Sequence, residues 1–183
     1  MRTENLAFID TETTGLDLEH HEIIEIGCVL VRQIEREGKG PQVEIIEEFE
    51  YKIKPEHIET ADSESLRING YDPANWVFAL DRKKALEDLA KKVDGAIMVA
   101  HNAPFDYSFL QKAFDEEGIK NPMHYHRLDT IPIAFACLYD DPTVQKFSLR
   151  ALCEHFGIEN KNAHTALSDA RATFELYKKL LNL

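Results

Sequence analysis

Side chains that could hold a metal ion or move a proton are concentrated in three short segments of the chain. The segment DTETTG carries Asp10 and Glu12, NAPFD carries Asp106, and HTALSD carries His164 and Asp169. Carboxylate oxygens are the ligands that Mg²⁺ and Mn²⁺ prefer, and two such ions roughly 3.5–4 Å apart assist in-line attack on a phosphodiester. A histidine that titrates near neutral pH can take the proton from an attacking water. These residue types together predict metal-assisted hydrolysis of a phosphodiester.

The first segment places two carboxylates where they can reach one metal ion. Asp10 and Glu12 lie two residues apart at the end of an apolar run. Alternate residues of a strand share one face, so we expect both carboxylates on the same side, with Cα atoms about 6.5–7 Å apart. Gly15 then lets the backbone approach a ligand closely. Alone, the segment would be interpreted as a polar turn after a strand, but neighbouring carboxylates repel and are costly without a cation.

The second segment places Asp106 in the first turn of a predicted helix. Apolar residues three, four and seven positions later, Phe109, Leu110 and Ala113, share its helix face. The aspartate is therefore expected to point along the side that faces the core. An aspartate in a first turn also interacts favourably with the helix dipole, which is the alternative interpretation of Asp106 taken alone. Its inward direction favours a metal ligand.

The third segment can serve the same site only with a particular backbone. His164 and Asp169 are five residues apart, which on one continuous helix turns them about 140° away from each other. They can converge if His164 lies on the loop or first turn and Asp169 lies on the helix proper. The polar residues at 160–162 favour a helix start there. The alternatives are a polar helix-start residue for His164 and a solvated one for Asp169.

Composition limits the class of protein. The chain has 183 residues, 44% of them apolar, which suits one domain over residues 1–183. No run of about 18 consecutive apolar residues occurs, so no membrane span is expected, and the polar start MRTEN does not resemble a secretory signal. Cys28, Cys137 and Cys153 are far apart and predict neither a disulfide framework nor a zinc site. These features predict a cytoplasmic protein without a membrane partner.

The charge balance does not favour a general nucleic-acid binder. Lys and Arg total 21 against 33 Asp and Glu, a formal net charge of −12, whereas nucleic-acid-binding surfaces are usually basic. Bound cations would neutralise a cluster of carboxylates and reverse the local field. An enzyme that holds only the last nucleotides of a strand also needs few phosphate contacts. The sequence therefore predicts weak, metal-dependent substrate binding.

Hydrophobic patterns predict strands that first follow one another and then alternate with helices. Apolar, β-branched segments predict strands over 6–10, 23–33, 43–53, 96–100 and 124–129, with a turn over 35–41 in an antiparallel meander. Helical periodicity predicts helices over 81–93, 104–117, 148–156 and 163–181. This order is typical of an α/β fold with a mixed sheet flanked by helices.

In their order and spacing, the three segments resemble the motifs of the DnaQ-like 3′→5′ exonuclease superfamily, over about residues 5–180. The first family motif matches Asp10 and Glu12, the second Asp106, and the third His164 and Asp169. A histidine rather than a tyrosine in the third motif indicates the DEDDh subgroup. The catalytic domain of the proofreading epsilon subunit of bacterial DNA polymerase III is similar. The resemblance implies an RNase H-like fold with a five-stranded mixed sheet and a site at one end of it.

The resemblance also implies a role for each residue. Asp10 would contact both of two divalent ions, Mg²⁺ or Mn²⁺, with Glu12 and Asp169 completing one and Asp106 serving the other. His164 would be the general base, and nucleoside 5′-monophosphates would leave from a 3′ end. A pocket for the terminal nucleotide would be lined by the following residues: Thr13, Thr14, Gly15, Leu16 and Phe105. The epsilon subunit holds its polymerase by a C-terminal tail; this sequence ends at its last helix, so a polymerase partnership stays an open question.

Three functions compete at this point. The first is a 3′→5′ exonuclease acting on 3′ ends of single-stranded DNA. The second is an exoribonuclease that trims RNA ends or degrades short oligoribonucleotides, because discrimination depends on contacts to the 2′-OH that the sequence does not show. The third is a non-catalytic module that binds nucleic-acid ends or proteins on the same fold. Loss of a ligand would favour this third function, and all four carboxylates are present.

Overall fold

We describe the protein from a computed structural model in which residues 3–36, 39–160 and 163–182 are described. Its centre is a sheet of the five strands β1 (Leu6–Thr13), β2 (Ile23–Arg36), β3 (Lys39–Lys52), β4 (Ile97–Ala100) and β5 (Arg127–Asp129). β2 extends to Arg36 and β3 begins at Lys39, so both strands reach into the segment 35–41 that was predicted as a turn, and residues 37–38 of that segment lie outside the described ranges.

The sheet is mixed, as the sequence predicts. Its strand order is β3-β2-β1-β4-β5. β1 and β2 pair antiparallel, as do β2 and β3, whereas β4 is parallel to β1 and β5 is parallel to β4. The predicted meander and mixed sheet are therefore confirmed. Because β1, β4 and β5 run in the same direction, their carboxyl ends meet at one end of the sheet.

In the described part of the chain, six α-helices surround the sheet. They are α1 (Ser63–Asn69), α2 (Arg82–Lys92), α3 (Ala103–Glu116), α4 (Thr130–Cys137), α5 (Leu149–Phe156) and α6 (Ala166–Leu181). Single 3₁₀ turns occur at Ile58–Thr60 and Pro73–Trp76. Within the described ranges, no helix is both long enough and apolar enough to span a bilayer.

Three helices differ from the prediction, and the first of them, α1, was not predicted. α4 was not predicted, because its sequence TIPIAFAC is apolar on nearly every face and has no helical period; Asp129 caps it by accepting from the Ile131 amide at 2.9 Å. α6 begins three residues later than predicted, at Ala166. His164 has a φ of 70°, and a residue in this left-handed conformation cannot belong to a right-handed helix.

The two faces of the sheet carry separate hydrophobic layers. Alternate residues of β1 point to opposite faces: Ala7 and Ile9 pack in the layer with α2 and α3, and Leu6 and Phe8 pack in the layer with α6. Continued along the strand, this alternation places the side chains of Asp10 and Glu12 on the α6 face. The carboxyl end of β1 therefore lies between α3 and α6.

Candidate active site

The carboxyl end of β1 supplies two carboxylates. Asp10 and Glu12 are both partly buried. In the β1–β2 ladder, Asp10 lies opposite Gly27 and Glu12 lies opposite Glu25. Cross-strand partners share a face, so the side chain of Glu25 joins the same side of the sheet. Asp10 and Glu12 therefore lie two residues apart on one strand, as the sequence predicts.

Asp106 reaches the same strand end from the opposite layer. It lies in the first turn of α3 and is only 3% exposed. Its Oδ1 accepts two hydrogen bonds from Thr11, one from the backbone amide at 2.9 Å and one from the hydroxyl at 2.8 Å. Thr11 lies between the two strand carboxylates but points to the α3 face, so it ties the helix to the strand. The inward direction predicted for Asp106 is what the structure shows.

The start of α6 brings in the third segment. The carboxylate of Asp169 accepts from the backbone amide of His164 at 3.1 Å and from the side-chain amide of Asn160 at 2.5 Å. His164 is exposed and lies in the turn before the helix, as its spacing from Asp169 required. One ligand atom from each of Glu12, His164 and Asp169 lies within 4.8 Å of the other two. The structure therefore brings all five predicted residues to one end of the sheet.

Burial raises the pKa of three of these carboxylates, and neighbouring negative charges add to the shifts. Burial raises the pKa of Asp10 well above its usual range, and the negative charges of Asp106, Asp169 and Glu12 add to the shift. Burial likewise raises the pKa of Glu12 to about 8, again with the neighbouring carboxylates adding to it. The pKa of Asp106 rises to about 7 through burial, although the hydrogen bonds from Thr11 oppose the shift. Such shifts favour the protonated forms near neutral pH, and a bound cation would favour the ionised forms instead.

This donor set fits hard divalent cations. Four carboxylates supply oxygen ligands, which suit Mg²⁺ and Mn²⁺. Burial and the neighbouring negative charges raise the pKa values of Asp10 and Glu12, and a bound cation would relieve that cost. The histidine nitrogen beside Glu12 and Asp169 could act as a further ligand or as a base. The residues present could therefore hold the metal ions that the sequence predicts.

The last residue of β1 and the loop after it carry four of the five residues predicted to contact a nucleotide. Thr13, Thr14 and Gly15 are buried, and the Thr13 hydroxyl donates to the Gly15 carbonyl at 2.6 Å. Leu16 is 80% exposed. The fifth residue, Phe105, is partly buried. The two threonines therefore hold the loop, and Leu16 is the member that faces outward.

Three further residues were not predicted from the sequence. Thr11 and Asn160 hold two of the carboxylates, as described above. Glu25 is 2% exposed and accepts from the Ala166 amide at 2.8 Å. Burial raises the pKa of Glu25 to about 7, and the bond from Ala166 opposes this shift. A glutamate in the middle of the apolar strand segment IIEIG was the one signal available, since a carboxylate is rarely buried without a partner.

Comparisons with known proteins find an exonuclease family and a ribonuclease that are similar to this chain. Residues 7–177 match the family RNase_T, which is described as an exonuclease family. Ribonuclease T of Shewanella frigidimarina is 31% identical over 188 residues, which cover 95% of this chain and 80% of that protein. The chain belongs to the RNase_T exonuclease family. This result confirms the exonuclease superfamily and the enzyme class that the sequence predicts.

Two other similar proteins are much longer than this chain. DNA polymerase III PolC-type of Clostridium perfringens is 33% identical over 92% of this chain, which spans 11% of the polymerase. The structure of E. coli exonuclease I in complex with a dA16 oligonucleotide superposes with a TM-score of 0.77 at 19% identity, over 98% of this chain and 42% of that chain. The latter likeness confirms the predicted RNase H-like fold.

Proposed function

We propose that this chain is a 3′→5′ exonuclease that uses two divalent ions, Mg²⁺ or Mn²⁺, to release nucleoside 5′-monophosphates from single-stranded DNA. The observation that carries the proposal is the convergence of Asp10, Glu12, Asp106 and Asp169 from three elements beside His164. The four carboxylates would hold the ions. When bound, two ions stabilise charge on the attacking and leaving oxygens of an in-line displacement.

We infer that His164 acts on the attacking water. Its side chain is exposed, so solvent reaches the imidazole without a conformational change. Its backbone amide donates to Asp169, so the position of the histidine follows that of the carboxylate. A neutral imidazole nitrogen can take a proton from water near neutral pH. We therefore assign His164 as the general base, and the oxygen donors as the metal ligands.

The loop after β1 supports action at a chain end. Its backbone is fixed from outside, because the Asn69 side-chain amide donates to the Thr13 carbonyl at 3.0 Å and the Asp62 amide donates to the Thr14 carbonyl at 2.8 Å. This segment, held at two carbonyls, carries the exposed Leu16 four residues after Glu12. An apolar side chain there can pack against the base or sugar of the terminal nucleotide.

Single-stranded DNA is the substrate that we propose first. PolC-type relatives are DNA polymerases by name, and exonuclease I is seen with DNA oligonucleotides. RNA is the second candidate, because the relative of comparable length is named ribonuclease T and its similarity covers 95% of this chain. The two differ at the 2′-OH, which a protein contacts through only a few atoms.

Matched oligonucleotides test the proposal. DNA and RNA of one sequence, labelled at the 5′ end, are incubated with the protein and Mg²⁺. We expect a ladder that shortens from the 3′ end, with 5′-monophosphates as products and faster degradation of the DNA. EDTA should abolish the ladder and added Mn²⁺ should restore it.

A blocked substrate and a circular one are the controls. A 3′-phosphate should strongly slow degradation, and circular single strands should stay intact. Cleavage of circles at the linear rate would show an endonuclease and contradict the proposal. Faster degradation of RNA would replace DNA by RNA as the substrate, and full activity in EDTA would exclude the metal site.

A further inference from the structure

A buried glutamate outside the four-carboxylate set touches the start of the helix that carries Asp169. Glu25 lies on β2, is 2% exposed, and its Oε1 accepts from the backbone amide of Ala166 at 2.8 Å. Ala166 is the first residue of α6. The first amides of a helix have no partner within the helix. Glu25 therefore caps α6 across 141 positions of sequence.

The same strand also determines how closely α6 approaches. A Cβ built at Gly27 would lie 2.2 Å from the Ala166 carbonyl carbon and 2.2 Å from the Leu167 amide nitrogen. The first turn of α6 therefore rests directly on the backbone of β2. Glu25 and Gly27 are two residues apart and share a sheet face. Together they anchor the first turn of α6 on β2. Glu25 accepts a hydrogen bond from this turn, and Gly27 has no side chain that would block its approach.

The anchored turn carries the residues that need the most precise placement. His164 lies two residues before Ala166 and has a φ of 70°. A non-glycine residue in this conformation persists only where its surroundings hold it. Asp169 lies three residues after Ala166, and its carboxylate holds the His164 amide. A shift of Ala166 would move both side chains of the site.

We propose that Glu25 is a positioning residue of the exonuclease site, which acts through the Ala166 amide to hold His164 and Asp169 against the end of β1. This inference rests on the proposed function for its catalytic consequence, but its structural part does not need activity. The length of the Glu25 side chain matters, because its carboxylate must extend from β2 to the backbone of α6. Its negative charge is not required for the hydrogen bond.

Two substitutions separate reach from charge. Glu25→Gln keeps the side-chain length and an oxygen that accepts from Ala166, and its amide can donate to Glu50, which shares a hydrogen bond with Glu25. Glu25→Asp keeps the charge but is one methylene shorter, so it does not reach the amide. Leu180→Ala is the matched control: Leu180 is a buried core residue at the other end of α6, 6% exposed.

Activity is measured as kcat and KM for nucleotide release at a temperature where all variants are folded. Glu25→Asp should lower kcat by about 10- to 100-fold, the loss typical of a catalytic group misplaced by about 1 Å. Its KM should change by less than about threefold, because the β1 loop is untouched. Glu25→Gln should keep kcat within about fivefold of the parent, a rescue by the residue of equal length. Leu180→Ala should lower thermal stability and leave kcat unchanged.

Hydrogen exchange gives a second readout, on the metal-free protein. Peptides that contain Ala166 should exchange faster in Glu25→Asp than in the parent or in Glu25→Gln. If the parent protein is inactive, the proposed function is refuted, but hydrogen exchange at Ala166 still tests whether Glu25 holds the start of α6. A Glu25→Gln variant as slow as Glu25→Asp, with parent-like exchange at Ala166, would show that the charge matters and overturn the inference. A Glu25→Asp variant with parental kcat and exchange would overturn it equally.

Discussion

Thr11 offers a sharp test of how the site is held together. Its hydroxyl and amide both donate to Oδ1 of Asp106, at 2.8 and 2.9 Å, and both residues are buried. Thr11→Val removes the hydroxyl at nearly constant volume and leaves the backbone bond. A hydrogen bond to a charged group contributes about 1.5–3 kcal/mol, or about 10- to 150-fold in an equilibrium constant.

The loss should appear in metal binding. The bonds from Thr11 lower the pKa of Asp106, so Thr11→Val should raise this pKa and strengthen the competition of protons with metal. We expect the Mg²⁺ concentration for half-maximal activity at pH 7 to rise by about 10- to 150-fold, and the ascending limb of the pH–rate profile to move to higher pH. Thr11→Ser, which keeps the hydroxyl, is the control. A Thr11→Val enzyme with parental metal and pH dependence would refute this account of Asp106.

Three further predictions follow from the same geometry. Folding raises the pKa of Glu12 from 4.5 to about 8, so the metal-free protein should lose stability as the pH rises from about 4.5 to about 8. Mg²⁺ should therefore raise the unfolding temperature more at pH 8 than at pH 6, and calorimetric scans that show equal increases at the two pH values would contradict this. Gly27→Ala should cost about 1–3 kcal/mol in denaturant unfolding and lower kcat, since its Cβ would meet the backbone of Ala166; unchanged stability and rate would exclude the close approach. Leu16→Ala should raise KM without changing the unfolding temperature, because Leu16 is 80% exposed; an unchanged KM would remove Leu16 from the pocket.

Local patterns were sufficient for much of the fold and for the five residues of the site. The two-residue spacing of Asp10 and Glu12 needs only a strand to become a shared face, and the apolar neighbours of Asp106 indicate its direction on α3. The five-residue spacing of His164 and Asp169 required a turn before the helix, and the structure has one. In each case the partners that set the geometry lie within a few residues.

The supporting contacts could not be predicted because they join distant positions. Thr11 and Asp106 are 95 residues apart, and Glu25 and Ala166 are 141 apart. Such pairs depend on the packing of helices on the sheet, which a periodicity of 2 or 3.6 does not contain. The start of α6 was misplaced for a related reason: the left-handed backbone of His164 is stabilised by its contacts and not by its residue type.

The assignment of His164 as base and of the carboxylates as metal ligands is tested most directly by calorimetric titration of Mn²⁺ into the parent, Asp10→Ala and His164→Ala. His164→Ala should bind metal nearly as the parent does, while its rate falls by about 10²–10⁴-fold, the usual contribution of a general base. Asp10→Ala should lose at least one bound ion together with its activity. The alternative is that His164 is itself a metal ligand, because one of its nitrogens lies within 4.8 Å of ligand atoms of Glu12 and Asp169. If His164→Ala loses metal as completely as Asp10→Ala, His164 is a ligand and the proposed mechanism is wrong.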